Sequence, residues 1–229
     1  MSKALVSGAS SGIGEAITLK LLSRGYEVVG IGRDFRTSKI NSKNFTPFCF
    51  DLTNSEILEI EPYIDGLSVL VNAAGVGEFG EFRDSEYESI KTTINTNLLA
   101  PLLLSRLCID ELIKTKGYVF NVTSVEATRS SKLSSIYTAS KAGLRAFSLA
   151  LFEEIRQKGV KVISLNPDIT DTNFFDNLFF GISNKKDSFL LPNQIANTVE
   201  YILDLGQNAC ISDVTIRAQI SKVSKKDKR

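Results

Sequence analysis

The chain reads Ser7-Gly8-Ala9-Ser10-Ser11-Gly12-Ile13-Gly14 immediately after a short apolar segment that begins at Lys3. Apolar residues at helical spacing follow, so the stretch predicts a turn from a strand into a helix. In such a turn Gly8 lets the chain leave the strand, Gly12 admits a pyrophosphate close to the backbone, and Gly14 lets the helix pack near the sheet. Free N–H groups and the helix dipole favour the anion. The stretch therefore predicts a dinucleotide site, with a purely structural glycine-rich turn as the alternative.

Strand-like and helix-like segments alternate along the rest of the chain. Strands are predicted at 3–7, 27–31, 45–50, 67–71, 118–122, 160–165 and 214–217. Helices are predicted over 12–24, over 84–114 with room for a break, over 135–158 and from Pro192. The polar residues 33–44 leave space for an abbreviated helix or none. We predict an α/β fold with a single Rossmann-type doubly wound parallel sheet of about seven strands and helices on both faces.

Length and composition fit one globular unit. The 229 residues are 43% hydrophobic and show no low-complexity linker. We predict one domain over residues 1–220 and a basic, flexible tail over 221–229. The net charge of +1 gives no strong field toward nucleic acid or an acidic membrane. The longest apolar run, 98–104, is too short to span a bilayer, and a strand at 4–6 leaves no room for a signal peptide.

Cysteine and histidine content narrows the chemistry. Cys49, Cys108 and Cys210 are far apart, none belongs to a CxxC pair, and the chain has no histidine. These facts remove the common zinc ligand sets and any Ser-His or Cys-His nucleophile, so no metal site is predicted. Scattered cysteines of odd number argue against a disulfide framework and predict a cytoplasmic protein.

Charged residues follow the second and third predicted strands, at the edge of the sheet where ligands bind. Arg33 stands where the adenosine ribose would lie, and its planar guanidinium suits a 2′-phosphate. An acidic residue there would accept from a free 2′-hydroxyl, and Asp34 follows directly. We predict NADP(H) in preference to NAD(H). Because Asp34 could accept from a free 2′-hydroxyl, NAD(H) remains the alternative. Asp51 either accepts from the adenine amino group or caps a helix from Thr53 onward.

A candidate catalytic group follows the fifth predicted strand. Tyr137 lies thirteen residues after Ser124, and Lys141 lies four residues after Tyr137 on the same predicted helix. Positions four apart share a helix face, so Tyr137 and Lys141 can meet near one ligand. A nearby ammonium lowers the pKa of a tyrosine, which otherwise is a poor base near neutrality. The Ser124 hydroxyl can hold a substrate oxygen, so the group predicts proton exchange at a carbonyl or alcohol.

Further motifs extend this pattern. They are Asp51-Leu52, Asn72-Ala73-Ala74-Gly75, Asn97, Val122-Thr123-Ser124, Tyr137-Thr138-Ala139-Ser140-Lys141 and Asn166-Pro167. With the glycine-rich stretch, and in this order and spacing, they make the chain resemble the short-chain dehydrogenase/reductase family from its first strand to its last. The resemblance implies an oxidoreductase that transfers a hydride between NADP(H) and a small carbonyl or alcohol substrate.

The resemblance also implies roles. Tyr137 would be the general acid/base, Lys141 would bind the nicotinamide ribose, Ser124 would orient the substrate, and Asn97 would hold a water in a proton relay linked to Lys141. The implied cofactor-binding residues are Gly8, Ser10, Ser11, Gly12, Ile13, Gly14, Arg33, Asp51, Leu52, Asn72, Ala73, Gly75, Tyr137, Lys141, Pro167, Ile169 and Thr172. Among these, Asn72 and Gly75 would border the adenosine and ribose, and Ile169 and Thr172 would contact the nicotinamide half.

Three positions depart from the family pattern. Ser7 replaces the usual threonine and keeps a hydroxyl, whereas Ala73 replaces the second asparagine of NNAG and loses an amide. Asp168 replaces the glycine of the usual Pro-Gly pair, which puts the local backbone shape in doubt. Asp168 either caps a turn or influences the charge of the preferred substrate.

The substrate side is predicted in outline. Residues 173–191 should form an apolar cover that contains five phenylalanines, and Arg129 could bind a carboxylate. The chain is similar to family members that act on 3-hydroxy acids and serine-like alcohols. The broad apolar faces of helices 98–113 and 135–158 predict a homodimer or homotetramer.

Two rival functions stay open at this point. A catalytically idle NADP(H)-binding regulator or scaffold would have the same fold, but it would not need Asn97, Ser124, Tyr137 and Lys141 together. An epimerase or dehydratase of the extended branch would need a nucleotide-sugar domain, for which the residues after the last strand leave little room.

Overall fold

The central layer of the protein, a computed structural model that describes residues 2–53 and 57–226, is a seven-stranded parallel sheet. The strands, numbered along the chain with two further short strands, are β1 (Lys3–Ser7), β2 (Glu27–Gly32), β3 (Phe45–Cys49), β4 (Leu67–Asn72), β5 (Tyr118–Val122), β6 (Lys161–Pro167), β7 (Phe180–Ile182), β8 (Asp213–Ile216) and β9 (Val223–Lys225). The main sheet has the order β3-β2-β1-β4-β5-β6-β8. The predicted doubly wound α/β sheet is confirmed.

In the described part of the chain, five α-helices cover the sheet. They are α1 (Gly12–Ser23), α2 (Tyr87–Ile94), α3 (Ala100–Thr115), α4 (Ser135–Ile155) and α5 (Pro192–Asp204). A π-helical turn, Asn95–Leu99, joins α2 to α3 and accounts for the predicted break. A 3-10 helix begins at Ile57, and the predicted start of a helix after Thr53 lies partly outside the described residues. None of the helices described is both long and apolar enough to cross a membrane.

Two hydrophobic clusters lie on opposite faces of the sheet. Along β1, Ala4 and Val6 belong to the cluster that packs under α1 and α5, whereas Leu5 belongs to the cluster under α3. All three side chains are fully buried. A strand covered on both faces has no polar side, which is why its residues read as a continuous apolar run.

Strand β1 lies at the centre of the sheet, between β2 and β4. Ser7 at its end pairs with Ile31 on β2 and with Asn72 on β4. The chain runs outward in opposite directions from this position, and in open α/β sheets ligands bind at such a switch point, outside the carboxyl ends of the strands. The glycine-rich stretch follows β1 directly, so the topology places it at the expected ligand site.

A second, two-stranded antiparallel sheet forms beside the main one. Residues 221–229 are expected as a flexible tail, yet β9 pairs with β7, with Gly181 opposite Ser224. The Lys226 N–H also donates to the Phe179 carbonyl at 2.8 Å. The sequence shows no strand here because β9 is short and basic, and its backbone groups find a partner only after the chain folds. Residues 227–229 lie outside the described residues.

Candidate active site

A cleft of about 850 Å³ opens at the carboxyl ends of the parallel strands. The predicted site residues that line it are Gly8, Ser10, Ser11, Gly12, Ile13, Gly14, Arg33, Asp51, Leu52, Ala73, Gly75, Ser124, Tyr137, Lys141, Pro167, Ile169 and Thr172. The side chains of two further predicted residues, Asn72 and Asn97, are buried behind this lining. The fold thus brings segments from distant parts of the sequence to one site.

The glycine-rich turn is closely packed against neighbouring segments. Gly8 has a φ of +67° and Gly12 a φ of +56°, a region that glycine adopts readily. A Cβ on Gly8 would lie 2.8 Å from the Ala74 Cα, and one on Gly12 would lie 3.0 Å from the Thr172 Cγ2. The turn therefore presents backbone to the cleft and leads into the N-terminus of α1, as a pyrophosphate site requires.

The two charged residues after β2 have different partners. The Asp34 carboxylate accepts from the guanidinium and backbone N–H of Arg36, and this pairing lowers the pKa of Asp34 to about 2. Arg33 lines the cleft, whereas neither Asp34 nor Arg36 contributes to the described lining. Asp34, the residue that kept NAD(H) as an alternative in the sequence analysis, is therefore paired with Arg36 outside the described cleft lining.

Asp51 supports a local turn after β3. Its carboxylate accepts from the Thr53 N–H at 2.9 Å and from the Thr53 hydroxyl at 2.8 Å. These two bonds lower the pKa of Asp51, and the charge of Arg33 adds to the effect. Asp51 nevertheless lines the cleft, so capping the turn and facing a ligand are compatible here.

The segment after β4 is held from behind by buried side chains. The Ser7 hydroxyl accepts from the N–H groups of Ala73 and Ala74 at 3.1 and 3.3 Å, so serine fills the role expected of threonine. The Asn72 amide instead donates to the Asn121 Oδ1 at 2.7 Å, away from the cleft. The Asn72 side chain also reaches the Ser105 hydroxyl on α3 at 3.5 Å, and its contact with adenosine stays a prediction. Gly75, in contrast, lines the cleft.

Three predicted catalytic residues meet at the start of α4. Ser124 ends the segment after β5, and Tyr137 and Lys141 lie on the first turns of α4. The Lys141 Nζ donates to the Val122 carbonyl at 2.9 Å and lies 6.0 Å from the centre of the Tyr137 ring. All three side chains are buried at the cleft floor. The structure brings together the three residues that the sequence analysis grouped, and their catalytic roles stay a prediction.

Burial controls the protonation of this group. It raises the pKa of Tyr137 to about 12, an effect that the Ser124 hydrogen bond opposes and the charge of Glu126 reinforces. It lowers the pKa of Lys141 to about 8. The shift of Tyr137 is opposite to the one expected from a nearby ammonium, because withdrawal from water outweighs the favourable contacts.

Asn97 lies in the π-helical turn and is fully buried. Its Oδ1 accepts from the Val76 N–H and its Nδ2 donates to the Val76 carbonyl, both at 2.9 Å. A Cβ on Gly75 would lie 3.4 Å from the Asn97 Oδ1 and 3.3 Å from the Lys141 Nζ. Asn97 therefore clamps the backbone beside Lys141, and its role in a water relay stays a prediction.

An aromatic cluster covers Tyr137. The rings of Phe79 and Phe174 have their centres 4.9 Å and 5.8 Å from that of Tyr137. Phe180 on β7 packs edge-on against Phe79 at 5.0 Å. The apolar cover expected from residues 173–191 thus includes Phe79, which the sequence analysis did not single out. Gly77 nearby permits the approach, since its Cβ would lie 2.8 Å from the Phe174 Cζ.

Asp168 adopts an ordinary backbone conformation. It is absent from the described residues with positive φ, so the glycine that it replaces is not required for the local shape. Its Oδ1 accepts from the Ile169 N–H at 3.0 Å, and its Oδ2 lies 3.6 Å from the Arg217 Nε. These contacts favour the turn-capping interpretation.

A charged pair stands on the substrate side. Glu126 follows Ser124 by two residues, and its Oε1 accepts from the Arg129 Nε at 2.9 Å and Nη2 at 2.7 Å. Arg129, a candidate for binding a substrate carboxylate, is therefore already paired.

Within residues 2–53 and 57–226, no group of three or more His, Cys, Asp or Glu side chains could hold a metal ion.

Comparisons with known proteins identify the family. A family model described as short chain dehydrogenase matches residues 2–180. An uncharacterized oxidoreductase of Staphylococcus epidermidis is 31% identical over 224 residues, which cover 93% of this chain and 96% of the relative. The protein therefore belongs to the short chain dehydrogenase family. It is an oxidoreductase of that family with a nucleotide-binding Rossmann-type fold.

Solved structures agree with this assignment. An alcohol dehydrogenase from the archaeon Thermococcus sibiricus, complexed with 5-hydroxy-NADP, is 26% identical with a TM-score of 0.86, over 97% of this chain and 98% of that one. A 4-hydroxyisoleucine dehydrogenase complexed with NADH and succinate is 25% identical with a TM-score of 0.81, over 94% of this chain and 97% of that one. A nicotinamide cofactor is thus the group that the cleft of such proteins holds.

Proposed function

We propose that the protein transfers a hydride between NADP(H) and a small carbonyl or alcohol compound, with Tyr137 as the general acid/base. One observation carries the proposal. Ser124, Tyr137 and Lys141 lie buried in the same cleft whose other end is the glycine-rich turn. A protein that only bound a nucleotide would have no need to bury this group at the cost of desolvating a lysine. The idle regulator or scaffold is therefore the less favoured function.

The cleft fits a dinucleotide. The cradle formed by Gly8 and Gly12 leaves backbone N–H groups for the pyrophosphate, Arg33 and Asp51 flank the adenosine end, and Lys141 beside Gly75 suits the nicotinamide ribose. When bound, the cofactor supplies or accepts the hydride at the substrate carbon. Pro167, Ile169 and Thr172 line the wall where the nicotinamide half would lie.

The preference for NADP(H) rests on the charges after β2. Arg33 lines the cleft, and a guanidinium offers a planar set of donors for a 2′-phosphate. The carboxylate that would repel this phosphate, Asp34, is paired with Arg36 outside the cleft lining. One solved relative holds an NADP derivative and another holds NADH, so the choice is made by these side chains of the present protein.

Proton exchange falls to Tyr137. In the reducing direction its hydroxyl gives a proton to the oxygen that becomes an alcohol, and in the oxidising direction its phenolate removes that proton. The Ser124 hydroxyl, which stabilises the phenolate, is also placed to hold the substrate oxygen. Lys141 keeps a buried positive charge near the ring, which favours the phenolate when it forms.

A substrate panel tests the proposal. NADPH and NADH consumption would be followed with small aldehydes, ketones and 3-oxo acids for the wild type, for Tyr137→Phe and for the exposed control Tyr87→Phe. We expect Tyr137→Phe to lower turnover by about a hundredfold or more, the usual range for a proton-transfer group. Tyr87→Phe should resemble the wild type. Full activity of Tyr137→Phe would refute the mechanism, and no activity of the wild type with any member would favour the regulator.

A further inference from the structure

We propose that Asp213, the first residue of β8, is a positioning residue that holds Ser124 and the helix of Tyr137 in register with each other. The inference rests on the proposed function, because it concerns how the reacting groups are held. Asp213 and its partners Arg145 and Asn166 all lie outside the described cleft lining. Asp213 therefore acts on the cleft through other residues.

One side of Asp213 binds the helix that carries Tyr137 and Lys141. Arg145 follows Lys141 by four residues on α4, and positions four apart share a helix face. The Arg145 Nε lies 3.3 Å from Oδ1 and 3.2 Å from Oδ2 of Asp213, and Nη2 also donates to Oδ2. A guanidinium that donates through two nitrogens to one carboxylate fixes orientation as well as distance. The pair therefore holds this face of α4 against β8.

The other side of Asp213 begins a chain of hydrogen bonds to the end of β5. The Asn166 Nδ2 donates to the Asp213 Oδ1 at 2.6 Å, and the Asn166 Oδ1 accepts from the Thr123 hydroxyl. Asn166 is fully buried and Thr123 is nearly so. The Thr123 N–H also donates to the Leu165 carbonyl at 2.7 Å. Thr123 directly precedes Ser124, so the chain ends beside a predicted catalytic hydroxyl.

The charge of Asp213 sets the direction of this chain. An ionised carboxylate only accepts hydrogen bonds, so Asn166 must turn its NH₂ group to Asp213 and its oxygen to Thr123. An amide at position 213 could donate as well as accept, and Asn166 would then be free to reverse. The native carboxylate thus keeps an acceptor in place for the Thr123 hydroxyl.

Both partners of one hydrogen bond in the cleft depend on this arrangement. The Ser124 hydroxyl forms a hydrogen bond with Tyr137 that favours the phenolate. Asp213 reaches Ser124 through Asn166 and Thr123, and it reaches α4 through Arg145. Losing Asp213 should therefore misplace the two hydroxyls relative to each other while leaving the cofactor cradle at α1 intact.

A double-mutant cycle tests the inference. The kcat of Asp213→Asn would be measured with the panel compound that the wild type turns over fastest, alone and combined with Ser124→Ala. We expect a loss of about tenfold when Ser124 is present. The further loss in Ser124→Ala should be less than about twofold, because the residue being positioned is already gone. The dissociation constant of NADP⁺, measured by calorimetry, should stay within about twofold of the wild type.

Two other variants separate positioning from general damage. Asp204→Asn removes the charge from a similar arginine pair, with Arg24, outside the described cleft lining, and it should keep wild-type kcat. Thr123→Val cuts the chain at its other end and leaves the Arg145 pair intact, so it should reproduce the loss if Asp213→Asn folds poorly. Wild-type kcat in Asp213→Asn, or an equal loss with and without Ser124, would overturn the inference.

Amide hydrogen exchange tests the link without turnover. Asp213→Asn should speed exchange about tenfold or more at Thr123 and in the first turns of α4, with α1 unchanged. Unchanged exchange at these positions would also overturn the inference. The proposed function fails on a different result, full activity of Tyr137→Phe, so the two failures are distinguishable.

Discussion

The ring of Phe79 packs against that of Tyr137 with their centres 4.9 Å apart and their planes inclined by 37°. Phe79 lies in the segment after β4 and Tyr137 lies in the first turn of α4, so the contact joins two separate segments of the cleft lining. It withdraws the phenol from water, and burial is the largest cause of its raised pKa. The accessibility and the protonation of Tyr137 therefore depend on a residue outside the family motifs.

Replacing Phe79 with alanine should expose the Tyr137 ring to water in the cleft. We expect kcat/KM for small substrates to fall about tenfold, because water enters and positioning is lost, while larger ketones lose less. The pKa of Tyr137 should move down toward its ordinary value, so alcohol oxidation should reach its plateau at a lower pH. Phe82→Ala, at an exposed ring outside the described cleft lining, is the matched control. Similar losses in both variants would contradict a specific role for Phe79.

Lys141 should lower stability near neutral pH. Burial reduces its pKa from an ordinary 10.5 to about 8, so the folded protein binds fewer protons than the unfolded chain between these values. Its contribution to stability is therefore present above pH 10 and is lost as the pH falls through 8. The full difference corresponds to roughly 3 kcal/mol.

Lys141→Met tests this directly. Denaturant unfolding should show that the stability of the wild type, relative to this variant, rises from pH 7 to pH 10. The variant should be at least as stable as the wild type at pH 7. If the free energies of unfolding of the wild type and the variant changed in parallel with pH, the burial of Lys141 would not destabilise the folded protein.

Arg33 should discriminate between the cofactors. We expect Arg33→Ala to weaken the binding of NADPH by about tenfold and the binding of NADH much less, because only NADPH offers a 2′-phosphate to the guanidinium. Arg36→Ala is the informative companion, since it frees the Asp34 carboxylate from its partner. Arg36→Ala should weaken the binding of NADPH, because the unpaired Asp34 carboxylate would repel the 2′-phosphate while Arg33 remains in place. Equal losses of NADPH and NADH in Arg33→Ala would remove the cofactor preference from this residue.

Asp168→Gly restores the usual family residue and should destabilise the fold. The native φ does not require glycine, so the substitution adds backbone entropy to the unfolded chain and removes the bond to the Ile169 N–H. We expect a loss of about 1–2 kcal/mol in the free energy of unfolding. Arg217→Ala should cost much less because the Arg217 side chain is 57% exposed and its contact with Asp168 is long, at 3.6 Å. An unchanged midpoint in Asp168→Gly would argue against the capping role.

The predicted homodimer or homotetramer can be tested at α3. Leu99, at the end of the π-helical turn that leads into α3, and Leu103 on α3 are 44% and 38% exposed, in line with an apolar face that a second subunit would cover. We expect light scattering at micromolar concentration to give a dimer or tetramer, and Leu103→Glu to shift it toward monomer. A wild-type protein that is monomeric throughout would refute the prediction.

Sequence periodicity was sufficient for the main sheet, because strands such as β1 are buried on both faces and read as continuous apolar runs. It was also sufficient for Tyr137 and Lys141, whose four-residue spacing fixes their common helix face. It could not reveal the pairing of β7 with β9. Short strands of this kind have no distinctive pattern and are defined only by their partner.

Side-chain partners were the least predictable part of the site. Nothing in the sequence indicates that Asp34 turns to Arg36, or that Asn97 holds Val76, since both depend on where loops fold. Phe79 lies far in sequence from Tyr137, and the two meet because the strands that precede them, β4 and β5, are neighbours in the sheet. The protonation of Tyr137 was misjudged for the same reason, because burial is a property of the whole cleft.

The register of β1 has a consequence for folding on the ribosome. Ser7 pairs with Asn72, and the turn after β1 is walled by Ala74. The glycine-rich turn is synthesised early. The residues that pack against Gly8, Ala73 and Ala74, are synthesised more than sixty residues later, and a long loop must close to bring them into contact. Such non-local pairing slows folding. A nascent chain therefore cannot use the nucleotide as an early folding template, and the ligand should stabilise only chains whose central strands have already met.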